Sequence, residues 1–339
     1  MPAKREPFRA LFSCVGRRVE LVRAFDRAAK ALKLPYESWG TDCVATAPAL
    51  SFVDRAKLVP RITDPAYLDR MISLVRRGRI RLLVPLIDLE LVSLAHARPQ
   101  FAETGCTVLI SGVETVETCR DKLATYKHLA AAGIDTPATW TLDDAMSMRD
   151  EHFPLFVKPR FGSASIGLHT VAGLSELQLV ARRVEEPIVQ EFVRGPEYTI
   201  DAYAGFDGKP ACVVPRRRLR VRGGEVVESQ VCLDRDVMEV GRRVVSSLEE
   251  CVGVITIQCI RRENGSVAVI EINPRFGGGV PLSIEAGADM PKWVLAALAG
   301  RRLRIPPTAR RNGLLMNRYD CSVFLKPPRE PSRPVRGRG

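Results

Sequence analysis

The chain has 339 residues, of which 46% are hydrophobic and 27% are charged, with a formal net charge of +12. This length fits two or three packed subdomains, and the composition excludes a wholly disordered chain. No apolar run reaches the roughly 18 residues that a membrane span needs, and the N-terminus lacks a signal-peptide core, so we expect a cytoplasmic protein and no membrane partner. The nine cysteines and four histidines are scattered without a CxxC pair, which disfavours a zinc site or a disulfide framework.

Strand-like and helix-like runs alternate over the first 115 residues. The patterns predict strands at 9–14, 36–39, 81–85 and 107–110, and helices at 19–34, 66–76 and 89–97. Such alternation indicates a parallel sheet covered by helices on both faces, and we predict a Rossmann-like domain over residues 1–115. Ligands of these sheets bind at the carboxyl ends of the strands, so the turns at 13–18 and 85–90 are candidate binding segments.

After residue 115 the pattern changes to helices and to strands joined by tight turns. The predicted elements are two helices over 113–132 with a break near Asp121, strands at 153–159, 187–191, 197–204 and 211–215, helices at 174–183, 236–250 and 282–299, and a hairpin that pairs 253–260 with 267–273. We interpret these as a central α+β lobe at 116–193 and a C-terminal α+β lobe at 194–325.

The basic excess is concentrated at the C-terminal end. Residues 301–339 hold ten arginines and one lysine against two acidic residues. The last segment, 326–339, is mostly proline, arginine and glycine, so we predict a disordered basic tail. A solvated tail is the favoured interpretation, and contact with nucleic acid or an acidic partner is the alternative.

The sharpest local signal is the segment VIEINPR at 269–275. In a regular strand, alternate side chains share one face, so Glu271, Asn273 and Arg275 project together while Ile270 and Ile272 face the core. Oxygen donors beside a guanidinium suit a magnesium ion bound to phosphate. The alternative is a half-exposed strand with unrelated polar residues.

The neighbouring strand of the predicted hairpin ends in a glutamine. If the register allows, Gln258 adds a further oxygen ligand to the Glu271 face. The Glu263-Asn264-Gly265 sequence between the two strands is typical of a tight turn.

A lysine also ends a strand ahead of a small-residue loop, in the sequence KPRFGSASIG at 158–167. Glycine and serine allow backbone N–H groups to approach a phosphate, and Lys158 supplies positive charge. The segment is not a Walker A motif, because the lysine precedes the loop. A flexible hairpin loop is the alternative interpretation.

The third segment, VQEFVRGPEY at 189–198, joins two strands through a Gly-Pro turn. An acid with backbone groups at a strand end, here Glu191, can contact an adenine edge, and a second acid, Glu197, can accept from ribose hydroxyls. Taken alone, the segment is better explained as an ordinary hairpin with two exposed glutamates.

The arginine run at 216–222 is the best clue to the substrate. Alternation separates Arg216, Arg218, Arg220 and Arg222 from the residues between them. Because arginine pairs with carboxylate or phosphate, we predict that one or two of these arginines hold an acidic substrate or the phosphates of a nucleotide, and we select Arg217 and Arg218. The alternative is a solvated basic hairpin.

In this order and spacing, the three segments resemble the ATP-grasp superfamily from about residue 5 to 320. The segments SCVGRRVELV at 13–22, VPRRRLRVRGGE at 214–225 and INPRFGGG at 272–279 resemble its carbamoyl-phosphate-synthase-like branch, which includes the amino-acid ligase of pyrrolysine biosynthesis. The resemblance implies an α/β ATP-grasp fold with a Rossmann-like N-terminal domain and two α+β lobes that clasp ATP.

The resemblance also implies a role for each motif residue. Lys122 and Lys158 hold the ATP phosphates, and Ser163 and Ser165 lie in the loop that closes over them. Glu191 and the backbone of Val193 meet adenine, and Glu197 meets the ribose. Gln258, Glu271 and Asn273 bind magnesium, and Arg275 steadies the transferring phosphoryl group. Arg275 and Lys158 are the catalytic pair, and the implied cofactors are ATP and two Mg²⁺ ions, which Mn²⁺ could replace.

Proteins of this kind transfer the γ-phosphoryl group of ATP to a carboxylate, and an amine then attacks the acyl phosphate. We therefore expect a ligase for small-molecule carboxylates and amines that releases ADP and phosphate, with a homodimer left open. Two alternatives are carbamoyl-phosphate-type phosphorylation of bicarbonate or carbamate, and a non-catalytic nucleotide- or nucleic-acid-binding protein on the same fold.

Overall fold

The structure, a computed structural model, describes residues 6–162 and 167–325. Its strands form three sheets that follow one another along the chain. The predictions for Ser163, Ser165 and the tail at 326–339 lie outside the described residues.

The first sheet is parallel, with five strands in the order β3-β2-β1-β4-β5. Its strands are β1 (Phe8–Ser13), β2 (Tyr36–Asp42), β3 (Arg55–Leu58), β4 (Leu82–Pro85) and β5 (Thr107–Val108), and the intervening helices are α1 (Val19–Ala31), α2 (Tyr67–Gly78), α3 (Leu91–His96) and α4 (Arg98–Glu103). The predicted parallel α/β sheet is confirmed. The sequence patterns missed β3, because this edge strand is exposed along its whole length and has no apolar signature.

The second sheet is antiparallel, with four strands in the order β6-β9-β7-β8. The elements here are α5 (Val113–Arg120), α6 (Lys122–Ala131), β6 (Thr139–Thr141), α7 (Leu142–Ala145), β7 (Leu155–Pro159), β8 (His169–Val171), α8 (Leu174–Ala181) and β9 (Pro187–Glu191). The helix break near Asp121 is confirmed. The Asp121 carboxylate caps α6 by accepting from the backbone N–H groups of Leu123 and Ala124, which fixes Lys122 as the first residue of that helix.

The third sheet is antiparallel, with six strands in the order β14-β13-β10-β11-β12-β15. The elements are β10 (Glu197–Ala204), β11 (Pro210–Arg222), β12 (Glu225–Val231), α9 (Arg235–Ser247), β13 (Gly253–Arg261), β14 (Val267–Asn273), α10 (Val280–Glu285), α11 (Met290–Leu298) and β15 (Leu315–Asn317). The predicted hairpin of β13 and β14 is confirmed. The boundaries at residues 115, 193 and 325 stay predictions.

The first sheet and the C-terminal lobe share one hydrophobic core. The ring of Phe25 in α1 packs edge-on against Phe12 of β1 and against Phe276, with centroid distances of 5.0 and 5.8 Å. This shared core also contains Trp293 of α11. It holds the loops at the carboxyl ends of β1 and β4 against the segment that follows β14. None of the helices in the described residues has both the length and the apolar character that a bilayer-spanning segment needs.

Candidate active site

A cleft of about 480 Å³ lies where the three sheets meet. Its walls include Lys158 from β7, Glu197 from β10, Glu271 from β14 and the loop residues Arg18 and Asp88 of the first sheet. The structure therefore brings together side chains that are separated by more than 250 positions in the sequence. All of the predicted site residues within the described residues line this cleft except Arg217.

The hairpin register places the oxygen donors opposite one another. Gln258 pairs with Glu271 and Thr256 pairs with Asn273, so their side chains share one face. One prediction was wrong: Ile270 does not face the core but is half-buried and lines the cleft. The physical reason is a bulge, because the pairing shifts after Gln258 and leaves Ile270 without a partner, which interrupts the alternation.

The donor set fits a magnesium ion whose remaining coordination positions phosphate oxygens would fill. Glu271 supplies a carboxylate and makes no ion pair within 4 Å to any basic side chain of the described chain, while Gln258 and Asn273 supply amide oxygens. Within the described ranges no cluster of three or more His, Cys, Asp or Glu could hold a metal. A hard cation here therefore depends on the amides and on the ligand, which is a pattern that suits Mg²⁺ bound to a nucleotide.

Two lysines face this donor set. Lys158 is almost fully buried and donates from Nζ to Oε1 of Gln190 at 2.9 Å. Burial lowers its pKa to about 8, against the opposing pull of Glu271. Lys122 donates to the carbonyl of Gly162 at 2.9 Å, and burial lowers its pKa too, while Glu271 and Asp88 act to raise it. Both lysines therefore lie where a triphosphate would be neutralised.

Glu191, which was predicted to meet the nucleoside, is the last residue of β9 and pairs with Leu155 at the start of β7. The carboxylate of Glu191 is ion-paired with Arg262, whose Nη2 lies 2.9 Å from Oε2, and this pairing lowers the pKa of Glu191. Glu191 is thus held by a side chain that the sequence patterns did not single out. Glu197 forms an ion pair with Arg218, whose Nε lies 3.1 Å from Oε2 of Glu197, and Val193 also lines the cleft.

The arginine run divides between two faces, and the prediction for Arg217 was wrong. Arg217 is exposed and lies away from the cleft, while Arg216 and Arg218 line it. Strand alternation does not allow adjacent residues such as Arg217 and Arg218 to share a face. Arg216 is fully buried in a bidentate pair with Asp201, which also accepts from Ser283.

Several cleft residues come from segments that the motifs did not cover. Asp88 accepts a hydrogen bond from Nη2 of Arg275, and Thr256 donates to the Arg275 carbonyl at 2.9 Å. Arg18 lies against Gly278. The two loops that supply Arg18 and Asp88 are the segments 13–18 and 85–90, whose place at strand ends was the signal that pointed to them.

Comparison with known proteins agrees with this architecture. Residues 119–279 match the ATP-grasp domain, and residues 10–109 match the PylC-like N-terminal domain. The chain therefore contains an ATP-grasp domain and a PylC-like N-terminal domain.

Among curated proteins, the chain is 32% identical over 220 residues to D-alanine–D-alanine ligase B of Pseudomonas putida, which covers 56% of this chain and 66% of that protein. It is 26% identical over 223 residues to the carbamoyl phosphate synthase large chain of Thermoanaerobacter sp., covering 60% of this chain and 20% of that protein. The chain thus spans less than two thirds of the length of these relatives.

Among solved structures, the biotin carboxylase domain of Hydrogenobacter thermophilus 2-oxoglutarate carboxylase, in complex with MgADP, ADP and bicarbonate, has a TM-score of 0.69 at 19% identity and covers 89% of this chain and 72% of that chain. N5-carboxyaminoimidazole synthetase from Staphylococcus aureus, in complex with ADP, has a TM-score of 0.69 at 16% identity, with coverages of 90% and 80%. These likenesses show the ATP-grasp fold.

Proposed function

We propose that this protein is an ATP- and Mg²⁺-dependent carboxylate–amine ligase for small, amino-acid-like molecules, which forms an acyl phosphate and releases ADP and phosphate. The observation that carries the proposal is the convergence of Lys158, Glu271 and Arg275 on one cleft. Positive charge, a carboxylate that can hold magnesium and a guanidinium are groups that stabilise the transition state of phosphoryl transfer. The match to D-alanine–D-alanine ligase supports the same class of reaction.

The residues divide the chemistry between two steps. In the first, a substrate carboxylate oxygen attacks the γ-phosphorus of ATP, the bond to the bridging oxygen breaks, and ADP leaves. Lys122 and Lys158 hold the phosphates, and Arg275 offers a guanidinium to the equatorial oxygens as charge spreads over them. Magnesium on Glu271, Asn273 and Gln258 would neutralise the phosphate oxygens.

In the second step the amine attacks the acyl carbon. The C–O bond to phosphate breaks, phosphate leaves with the electron pair, and the proton lost by the nitrogen passes to the departing phosphate. No side chain of the chain has to form a covalent bond with the substrate, because the phosphoryl group itself activates the carboxylate. The main contribution of the protein is therefore position and charge.

The test is to incubate the full chain with ATP, Mg²⁺ and pooled amino acids and small carboxylates, and to measure ADP, phosphate and new product masses. We expect substrate-dependent ADP release and a product equal to both substrates minus water. Glu271→Ala removes the carboxylate of the magnesium site and should abolish turnover. AMP in place of ADP would overturn the acyl-phosphate route.

The same assay separates the alternatives. ADP release that needs only bicarbonate or carbamate would favour carbamoyl-phosphate-type chemistry. Absence of nucleotide binding would favour the non-catalytic alternative. Salt-sensitive nucleic-acid binding that is lost on removal of residues 327–339 would show that the basic tail binds nucleic acid.

We further propose that the protein uses two magnesium ions, which manganese can replace, that it lies in the cytoplasm, where ATP is available, and that it forms a homodimer.

A further inference from the structure

Three buried polar side chains lie next to one another on the central sheet, at the wall of the cleft. They are Lys158 of β7, Gln190 of β9 and Thr139 of β6. Gln190 pairs directly with Thr139 on one side and with Phe156 on the other, and Lys158 lies two residues along β7 from Phe156. Because cross-strand partners and alternate residues of a strand share one face, the sheet brings the three polar groups together.

These groups form a chain of hydrogen bonds that has only one possible direction. An ammonium group can only donate, so Nζ of Lys158 donates to Oε1 of Gln190 at 2.9 Å. Nε2 of the same amide therefore points to Thr139 and donates to its Oγ1 at 2.8 Å. The single hydroxyl proton of Thr139 is then donated to the Pro137 carbonyl at 2.9 Å. Each link fixes the orientation of the next one.

This direction fits an amide at position 190 and does not fit a carboxylate. A glutamate would present an oxygen to Thr139, whose only hydroxyl proton is already donated to the Pro137 carbonyl. A glutamate would also form a charge-assisted ion pair with Lys158, which is stronger than a bond to a neutral oxygen. Gln190 thus holds the lysine without neutralising it.

The second lysine of the cleft is held in the same way. Lys122 donates to the Gly162 carbonyl, which is also a neutral acceptor. Neither lysine forms an ion pair within 4 Å in residues 6–162 and 167–325. By contrast, the cleft arginines Arg216 and Arg275 are paired with carboxylates. The lysine end of the cleft therefore keeps positive charge that an anionic ligand can neutralise.

The contact with Gln190 also sets which donors of Lys158 remain for a ligand. The ammonium group has three N–H donors, and Gln190 takes one of them. In the part of the chain that the structure describes, Lys158 has no other hydrogen-bond partner. Two donors are therefore left for oxygens of a molecule in the cleft, and the direction of the first bond restricts where they point.

We propose that Gln190 is a positioning residue for nucleotide capture. Oriented by Thr139, it holds Lys158 through a neutral oxygen and leaves the charge and two N–H donors of the lysine for the nucleotide phosphates. This inference rests on the assignment of Lys158 to the ATP phosphates in the proposed function. It implies that a carboxylate at position 190, although equal in size to the amide, weakens the binding of phosphate.

The first test measures the binding of Mg·ATP and of adenosine by isothermal titration calorimetry. Gln190→Glu should weaken Mg·ATP binding by about tenfold or more, because the new carboxylate competes for Lys158 and repels the phosphates. It should leave adenosine binding unchanged, since adenosine has no phosphate. Gln178→Glu, the same change at an exposed position of α8, is the matched control and should alter neither affinity.

Equal losses for Mg·ATP and adenosine in Gln190→Glu would overturn the proposal, because Gln190 would then act on the nucleoside or on the fold as a whole. An unchanged affinity for Mg·ATP would overturn it too.

The role of Thr139 is tested by two substitutions that differ in the hydroxyl group. Thr139→Val removes the oxygen that accepts from Gln190, so the amide can turn and Mg·ATP binding should weaken severalfold. Thr139→Ser keeps the hydroxyl and should retain the affinity of the wild type. Equal losses in the two variants would mean that the methyl group matters and the hydroxyl does not, and would overturn the orientation of Gln190 by Thr139.

The pH dependence of Mg·ATP binding provides a measurement that a general loss of structure would not shift. Burial lowers the pKa of Lys158 to about 8, with Glu271 acting against this and Lys122 adding to it, so the affinity of the wild type should fall above about pH 8. A carboxylate at position 190 favours the charged lysine. In Gln190→Glu the fall should therefore begin about one pH unit higher or more. A fall at the same pH in both proteins would contradict the contact of residue 190 with Lys158.

These binding measurements separate the role of Gln190 from the ligase activity. Selective loss of Mg·ATP affinity in Gln190→Glu, with no substrate-dependent ADP release by the wild type, would support the role of Gln190 and reject the ligase. Substrate-dependent ADP release by the wild type, with unchanged Mg·ATP affinity in Gln190→Glu, would reject the role of Gln190 and leave the ligase standing.

Discussion

The carboxylate of Asp88, just after β4 of the first sheet, accepts a hydrogen bond from the guanidinium of Arg275, 187 residues further along the chain. The same guanidinium donates from Nη1 to the Phe276 carbonyl at 3.2 Å. An element of the N-terminal domain therefore orients the arginine that we assign to the transferring phosphoryl group. This contact ties a loop of the first sheet to the arginine that we propose as catalytic.

Asp88→Asn should lower kcat by roughly tenfold to a hundredfold with little change in KM for ATP, because a small displacement of a catalytic group is costly while the lysines that bind the nucleotide remain. Glu103→Gln, which removes an exposed carboxylate of α4, is the control and should leave kcat unchanged. Steady-state ADP release measures both. A normal kcat in Asp88→Asn would show that Arg275 is positioned without Asp88.

The pKa of Lys158 predicts a pH dependence for nucleotide capture. The lysine is charged below its pKa of about 8 and loses its charge as the pH rises through that value. We therefore expect kcat/KM for ATP, which reports the free protein, to fall above about pH 8 by roughly tenfold per pH unit. At saturating ATP, the bound phosphates favour the charged lysine, so the fall in kcat should begin at a higher pH.

Lys158→Arg provides the comparison, since arginine keeps its charge over this range. If that variant retains activity, its kcat/KM should stay flat where the wild type declines. A wild-type profile without a decline between pH 7.5 and 9.5 would contradict the assignment of Lys158 to the phosphates.

The sequence predicted the parts of this site that depend on local pattern. Alternation placed Glu271 and Asn273 on one face, and the turn signal placed Gln258 opposite them. The bulge at Ile270 had no local signature, because it arises from how two strands pair rather than from either strand. Exposed strands such as β3 were missed for a related reason: their residues carry no pattern of burial.

Local sequence patterns could not predict the contacts between segments that are distant in the sequence. The ion pair of Glu191 with Arg262 joins residues 71 positions apart, and Arg18 approaches Gly278 across most of the chain. The place of the loops 13–18 and 85–90 in the site could be predicted because they follow strand ends. Which residues they contact depends on how the sheets pack. Alternation alone places Arg217 on the face opposite Arg218, so the two adjacent side chains could not both reach the cleft.

The turn before β10 should tolerate no side chain at Gly195. Its φ is +149°, and a Cβ atom there would lie 1.9 Å from the carbonyl oxygen of Arg261. Gly195→Ala should therefore lower the free energy of unfolding by about 2 kcal/mol or more and raise KM for ATP, since Glu197 follows the turn. Urea denaturation measures the first and ADP release the second.

Gly208→Ala is the matched control for that turn. Its φ is also positive, at +77°, but the nearest atom to a Cβ is the Cys251 carbonyl oxygen at 3.8 Å. It should cost only the strain of the left-handed backbone, about 1 kcal/mol, with no change in KM for ATP. Equal losses in the two variants would mean that the clash at Gly195 is relieved by movement of Arg261.

The buried pair of Arg216 and Asp201 predicts a large, non-additive effect on stability. Nε of Arg216 lies 2.7 Å from Oδ2 of Asp201, and both side chains are essentially excluded from solvent. Removing one partner leaves the other charge buried and uncompensated, so Asp201→Leu and Arg216→Met should each lower the free energy of unfolding by about 3–5 kcal/mol. The double variant removes both charges and should lose clearly less stability than the sum of the two single losses.

Urea denaturation of the wild type, the two single variants and the double variant gives the coupling energy. The exposed Arg220→Met is a control that should change stability by about 0.5 kcal/mol at most. Additive losses would mean that the two charges are compensated independently of each other, and that the pair does not hold Arg216 in its place beside Gly279.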